Sequence, residues 1–157
     1  MNNWSELRSF DEITDYSSYG VYKVHLCKSD KSPVCIPRFV VEDKSGILMI
    51  GKSKNIRRRL KYFRGAKNEK PYSHAEGKRL SIIKRKCPKF ISEYKDCKLF
   101  YCYKELNSNE EMDREEERLL KCYFKNFGEV PPLNNNLPNR DKWEYIKCKG
   151  DGINGKD

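Results

Sequence analysis

Apolar positions in this chain come in short runs, and their spacing switches period from segment to segment. GVYKVHLC at 20–27 is rich in β-branched and aromatic residues and predicts a strand. CIPRFVVE at 35–42 reads as a second extended segment, which Pro37 pushes toward an edge or a bulge. Residues 46–50 are an apolar run that ends at Gly51, as a buried strand entering a turn would. Three short strands before the first helix suggest an antiparallel arrangement joined by tight turns. The period then changes. With Ser53 as its expected cap, a helix carries Ile56, Leu60 and Phe63 at four- and three-residue steps. At about 100° per residue, Arg57 and Arg59 fall on the flanks of that stripe and Arg58 points away.

Residues 64–74 hold Gly65 and Pro71 and read as a loop, followed by a helix over 75–86 with Leu80, Ile82 and Ile83 as its apolar contacts. CKLFYCYK at 97–104 is a further aromatic strand. Ser108 with Glu111 forms a capping box, and the helix it opens runs to about residue 127, where Gly128 is a natural stop. The expected architecture is α/β of the α+β kind: a small, mainly antiparallel three-stranded sheet flanked by helices. A polar lead-in spans 1–19, the domain 20–137, and a lysine-rich tail 138–157 is expected to be frayed.

On the last helix, Met112, Leu119, Leu120, Tyr123 and Phe127 share a stripe, and the same arithmetic sets Glu116 near its middle, with Glu115 and Glu117 to either side. A carboxylate facing a core must be paired, hydrated in a cleft or bound to a metal, because an uncompensated buried charge costs several kcal/mol. An internal ion pair with one of the arginines is one solution. A cation site is the other, since Mg2+ often takes one carboxylate plus waters and substrate phosphates.

Composition adds a partner class. The 157 residues suit one domain, and a net charge of +10 with 36% charged residues favours a polyanion, nucleic acid first. The opening MNNWSELRSFDE has neither a basic n-region nor an apolar h-region, and no apolar run approaches the length that spans a bilayer, so neither a leader nor a membrane span is expected. The seven cysteines are odd in number and include no C-x-x-C pair, which argues for reduced, mostly buried thiols in a cytoplasmic protein over a disulfide framework or a zinc site.

Joined in order, these pieces resemble a known family. Gly20, Val21 and Tyr22 look like the first signature of the GIY-YIG nucleases, and Met49, Ile50 and Gly51 look like the second. GKSKNIRRRL at 51–60 is similar to the stretch that carries the family's arginine, which selects Arg59; EERLLK at 116–121 resembles the helix with the metal-ligand glutamate, which selects Glu116. GEVPPLN at 128–134 resembles the closing segment with its Pro131 and Asn134. The resemblance covers 20–134 and departs from the family in two places: Met49 stands where a tyrosine is usual, and Phe63 where several relatives carry His or Tyr. His74, in SHAEGKRL, is reminiscent of a histidine that some stand-alone members have after this helix.

The resemblance implies a metal-dependent DNA endonuclease. Glu116 would hold one Mg2+ or Mn2+, Arg59 would grip a non-bridging phosphate oxygen, Tyr22 would take or relay the proton of the attacking water, and Asn134 would orient groups by hydrogen bonds. His74 and Tyr62 are the alternative candidates to compensate for the departures. Lys52, Lys54, Arg57, Arg58, Lys61 and Arg64 would track the DNA backbone without reading sequence; RNA is a second possible substrate, and cutting both strands would need a dimer or two encounters. Two competing readings are a nucleic-acid-binding module on the same fold that has lost cleavage, and a structural or protein-interaction domain with a basic surface.

Overall fold

Every residue of the 20–27 run is buried, because this strand lies inside a sheet that is covered on both faces. The computed structural model describes residues 4–13, 19–65, 74–138, 148 and 152–153. In chain order its elements are β1 (Arg8–Ser9), β2 (Gly20–Cys27), β3 (Ile47–Ser53), α1 (Ile56–Gly65), α2 (Ala75–Lys86), α3 (Pro88–Tyr94), β4 (Lys98–Glu105) and α4 (Asn109–Phe127). The strands form one sheet in the order β1-β4-β2-β3, antiparallel throughout. The fold is a mixed α+β fold.

Alternation along β2 divides the core in two. Tyr22, Val24 and Leu26 face α1 and α2, packing with Ile56, Leu60, Phe63 and Leu80. Val21 faces the other way and, with Ile47 and Ile50 of β3, meets Leu119, Leu120, Tyr123 and Phe127 of α4. Asp43 ties the β3 approach to α4: its carboxylate accepts from the amides of Ser45 and Ile47 and from the Tyr123 hydroxyl at 2.9 Å.

The sheet has four strands where three were expected. The extra one comes from the lead-in, where Arg8 and Ser9 pair with Tyr101 and Phe100 of β4. Two residues are too short to carry an alternation signal.

The 35–42 segment, expected as a strand, is a loop closed by a single bridge between Ile36 and Asp43. Pro37 has no amide proton to offer a ladder. The next donors are taken elsewhere: the Phe39 amide by the Glu129 carboxylate and the Val40 amide by the Phe127 carbonyl. The Phe39 side chain is left 85% exposed.

At the start of α1 the cap is Asn55, whose Oδ1 accepts the Arg58 amide at 2.8 Å, while Ser53 Oγ accepts the Asn55 amide. Ser108 caps α4 as the pattern predicts, accepting from Glu111 N, and Gly128 ends it at φ 76°. α3, missed in the sequence, starts on Pro88 in the first turn, where a missing amide proton costs nothing.

Cys122 and Cys148 form a disulfide across 26 residues, correcting the thiol reading for this pair; the other five cysteines are free. The same contacts correct the frayed tail at two points: Cys148 is bonded to α4, and Ile153 is buried against it with its carbonyl accepting from Asn126 Nδ2. Among the described residues no helix is long and apolar enough to cross a membrane.

Candidate functional site

The β2–β3 register sets Tyr22 opposite Gly51, and the tyrosine's ring occupies the space a side chain at 51 would need: a Cβ there would lie 2.6 Å from the Tyr22 hydroxyl. Gly20 has a similar reason, since a Cβ would run into the Lys104 carbonyl of β4. Both glycines of the signature segments thus make room. Tyr22 is fully buried, and its hydroxyl lies 3.4 Å from His74 Nε2.

His74 reaches this spot as the N-cap residue of α2, its ring enclosed and packed edge-on against Phe63 at 5.2 Å between centroids. Its Nδ1 stands 2.6 Å from Glu76 Oε2. Burial pushes the Tyr22 hydroxyl up to about 12, against the charge and hydrogen bond of Arg59, which favour the phenolate. Burial, and then the Arg59 charge, push the His74 imidazole down to about 4, against the pull of Glu76. At neutral pH the tyrosine is therefore protonated and the imidazole is neutral.

Arg59 lies over this pair on α1 and lines a cavity of about 200 Å³ with Lys52, Ser53, Arg58 and Tyr62. Its Nε is buried and finds no acceptor among the described residues. Arg58 lines the same cavity, although the helical wheel turned it away from the stripe: the opening runs along the outer side of α1 and not under it.

Lys52, at the end of β3, joins this cavity to α4. Its Nζ lies 2.8 Å from Glu116 Oε2 and 3.0 Å from Asp113 Oδ1. Burial alone would lower the ammonium, but these two carboxylates raise it above the ordinary lysine value. A second cavity of about 430 Å³ opens on the other side of Lys52, lined by Ser53, Lys54, Asn109, Met112 and Asp113. Glu116 comes from the opposite face of the sheet to Tyr22, and its charge still reaches the Tyr22 hydroxyl.

Periodicity misjudged which glutamate is most enclosed. Glu115 is 13% exposed and Glu116 21%, because the Lys104 side chain of β4 reaches Glu115 at 2.8 Å and covers it. Asn134 spends both ends of its amide on one residue, accepting from the Ile50 amide at 3.0 Å and donating to the Ile50 carbonyl at 2.8 Å. With the Leu133 amide on the Leu48 carbonyl, it fastens the closing segment along β3, the edge strand of the sheet, so it positions the strand that carries Gly51 and Lys52.

Among the basic residues, Lys54 and Arg58 are exposed beside the two cavities, and Arg57 and Lys61 are half-buried on α1. Arg64 is drawn off: it donates to the Phe10 carbonyl and lines a separate cavity with Phe63 and Leu80. Met49 is packed in the core, and Phe63 supports the His74 ring.

Sequence reasoning missed Asp113 and Glu76. Each lies within three residues of a selected one, Asp113 one helical turn before Glu116 and Glu76 two residues after His74, so a charge census around the candidates could have found them. Comparison with known protein families, with curated proteins and with solved structures finds no match to this chain.

Proposed function

We propose that the chain is a GIY-YIG-type nuclease that hydrolyses phosphodiester bonds in DNA with one divalent cation. The observation that carries this reading is the Arg59 guanidinium: it lines a cationic cavity with Lys52 and Arg58, its Nε finds no acceptor among the described residues, and a planar cation so placed suits a phosphate oxygen. Arg59 would neutralise a non-bridging oxygen as charge develops, with Arg58 and Lys52 adding to the field.

The donor set suits a hard cation. Glu116 is partly solvated, and with Asp113 it turns carboxylate oxygens toward the same ammonium; two carboxylates outweigh that single charge, so Mg2+ or Mn2+ in place of the Lys52 ammonium would complete their neutralisation. Bound there, the ion would polarise the phosphate and stabilise the leaving oxygen. Tyr22 would handle the proton of the attacking water, Asn134 would hold β3 in register, and Lys54, Arg57 and Lys61 would hold the backbone of the duplex.

A second reading, a nucleic-acid-binding module without cleavage, draws on Met49 in the core, Phe63 in place of a titratable residue, and the complete burial of Tyr22. Nicking of a supercoiled plasmid in Mg2+ or Mn2+, with EDTA and Glu116→Ala as controls, separates the two. Metal-dependent nicking that Glu116→Ala abolishes supports the nuclease. Salt-sensitive DNA binding with no nicking supports the module.

A further inference from the structure

Tyr22 poses a problem that its neighbours can solve. A fully buried hydroxyl whose pKa is pushed up to about 12 does not lose its proton to solvent at neutral pH, even with Arg59 beside it. A proton acceptor inside the same enclosure gives the proton a path that leaves no isolated phenolate, and because burial and Arg59 make a buried imidazole a weak base there, the path depends on a carboxylate beside it. His74 Nε2 is that acceptor, 3.4 Å from the hydroxyl.

We propose that Tyr22, His74 and Glu76 form a proton relay in which Glu76 is the positioning residue, holding His74 in the tautomer that leaves Nε2 bare toward Tyr22. The proposal rests on the nuclease reading above. In the relay step an O–H bond of the attacking water breaks and its proton passes to Tyr22 Oη. The original tyrosine proton passes to His74 Nε2, giving an imidazolium beside the Glu76 carboxylate. The hydroxide forms the new bond to phosphorus, the bond to the leaving oxygen breaks, and that oxygen takes a proton from a second water.

The local design favours this assignment. Glu76 sits in the first turn of α2, where the helix dipole favours a carboxylate, and His74 occupies the N-cap position of the same helix with its side chain turned to Tyr22 and Glu76, so two residues of one turn set the pair. The charged and titratable groups around the imidazole are Tyr22 from β2, Arg59 from α1 and Glu76 from α2, with Glu116 of α4 acting on the tyrosine. Arg59 disfavours the imidazolium and Glu76 favours it, so the basicity of His74 hangs on Glu76. The Nδ1–Oε2 approach is short but bent from a straight hydrogen bond in this state, so the tautomer itself is the thing to measure.

The chain has only two histidines, which makes the imidazole nitrogens simple to assign by 15N NMR. In the intact protein His74 is expected to carry its proton on Nδ1. In Glu76→Ala the two tautomers should mix, Glu76→Gln should lower the His74 pKa, and Glu76→Asp should restore part of the intact spectrum. In single-turnover plasmid nicking, Glu76→Ala and Glu76→Gln should slow the chemical step about 100-fold with DNA affinity unchanged, and Glu76→Asp should recover part of it. A His74 proton on Nε2, or full cleavage by a folded Glu76→Gln, overturns the relay while leaving the nuclease standing. An intact protein that binds but never cuts overturns the nuclease reading, and the relay as catalysis falls with it.

Discussion

Glu115 and Glu116 are adjacent on α4, both bonded to lysines from the sheet, and they stand in opposite situations. Glu115 is closed: Lys104 at 2.8 Å and Arg118 at 2.8 Å take both its oxygens, and neither cation lines a described cavity. Glu116 is open: its partner Lys52 is 39% exposed, is shared with Asp113 and lines two cavities. A carboxylate with its own dedicated cations stabilises a fold; one that shares a cation at a cleft wall can exchange it for another. What separates structure from candidate chemistry here is the commitment of the partner, and burial alone would have ranked the two the wrong way round.

The widest test of that difference is a pair of substitutions. Glu116→Gln should lower metal-dependent plasmid nicking by about 1,000-fold, comparable to losing a transition-state contact of roughly 4 kcal/mol, with little change in melting temperature. Glu115→Gln should do the reverse, costing about 1–3 kcal/mol in urea unfolding while the folded fraction keeps its nicking rate. Equal loss of stability in both would remove the distinction.

The disulfide sharpens the comparison from the same helix. Cys122 lies one turn after Arg118, whose Nη1 approaches its sulfur at 4.0 Å, so the link bears on the closed side of α4. A bridge closing 26 residues is expected to contribute about 3 kcal/mol, so a Cys148→Ser variant should unfold at correspondingly lower urea. Nicking by the folded fraction should persist, because the larger cavity meets α4 at its start, at Asn109, Met112 and Asp113, and the Arg59 cavity takes no residue from α4.

Acid gives a smaller readout on Glu115 alone. The Arg118 hydrogen bond, opposed by burial and reinforced by Lys104, holds its carboxyl down to about 2. A folded-state value below the unfolded one stabilises the fold at neutral pH, and the contribution fades as pH falls from about 4.5 toward 2. Intact protein should therefore lose stability over that window by about 1–3 kcal/mol more than Glu115→Gln does, measured by urea midpoints at each pH.

The sequence made the pieces legible and left their pairing obscure. The runs at 20–27 and 97–104, the stripe of α1 and the capping box of α4 are local, and each became the expected element. The 35–42 strand failed because its amides go to residues 127 and 129, far along the chain. Asn55 displaced Ser53 as cap because an asparagine two residues later reaches the right amide. At the site, Tyr22, Arg59 and His74 do converge, and Glu116 joins them through Lys52, a link that no spacing rule encodes. Glu76 and Asp113 went unnoticed because ordinary surface-helix charges look the same in a sequence.

The same contrast between committed and uncommitted partners extends to the basic residues and gives the mildest effect. Lys54 is exposed and lines the larger cavity, whereas the Arg64 guanidinium is fastened to the Phe10 carbonyl on a different surface. Each phosphate contact adds nearly one unit to the slope of log binding constant against log salt. In DNA gel shifts across a salt series, Lys54→Ala should reduce that slope by about one, and Arg64→Ala should leave it unchanged even though both remove one positive charge. Equal reductions would mean that net charge, and not the cleft, governs binding, and the duplex would then have no reason to lie along α1 beside Lys52.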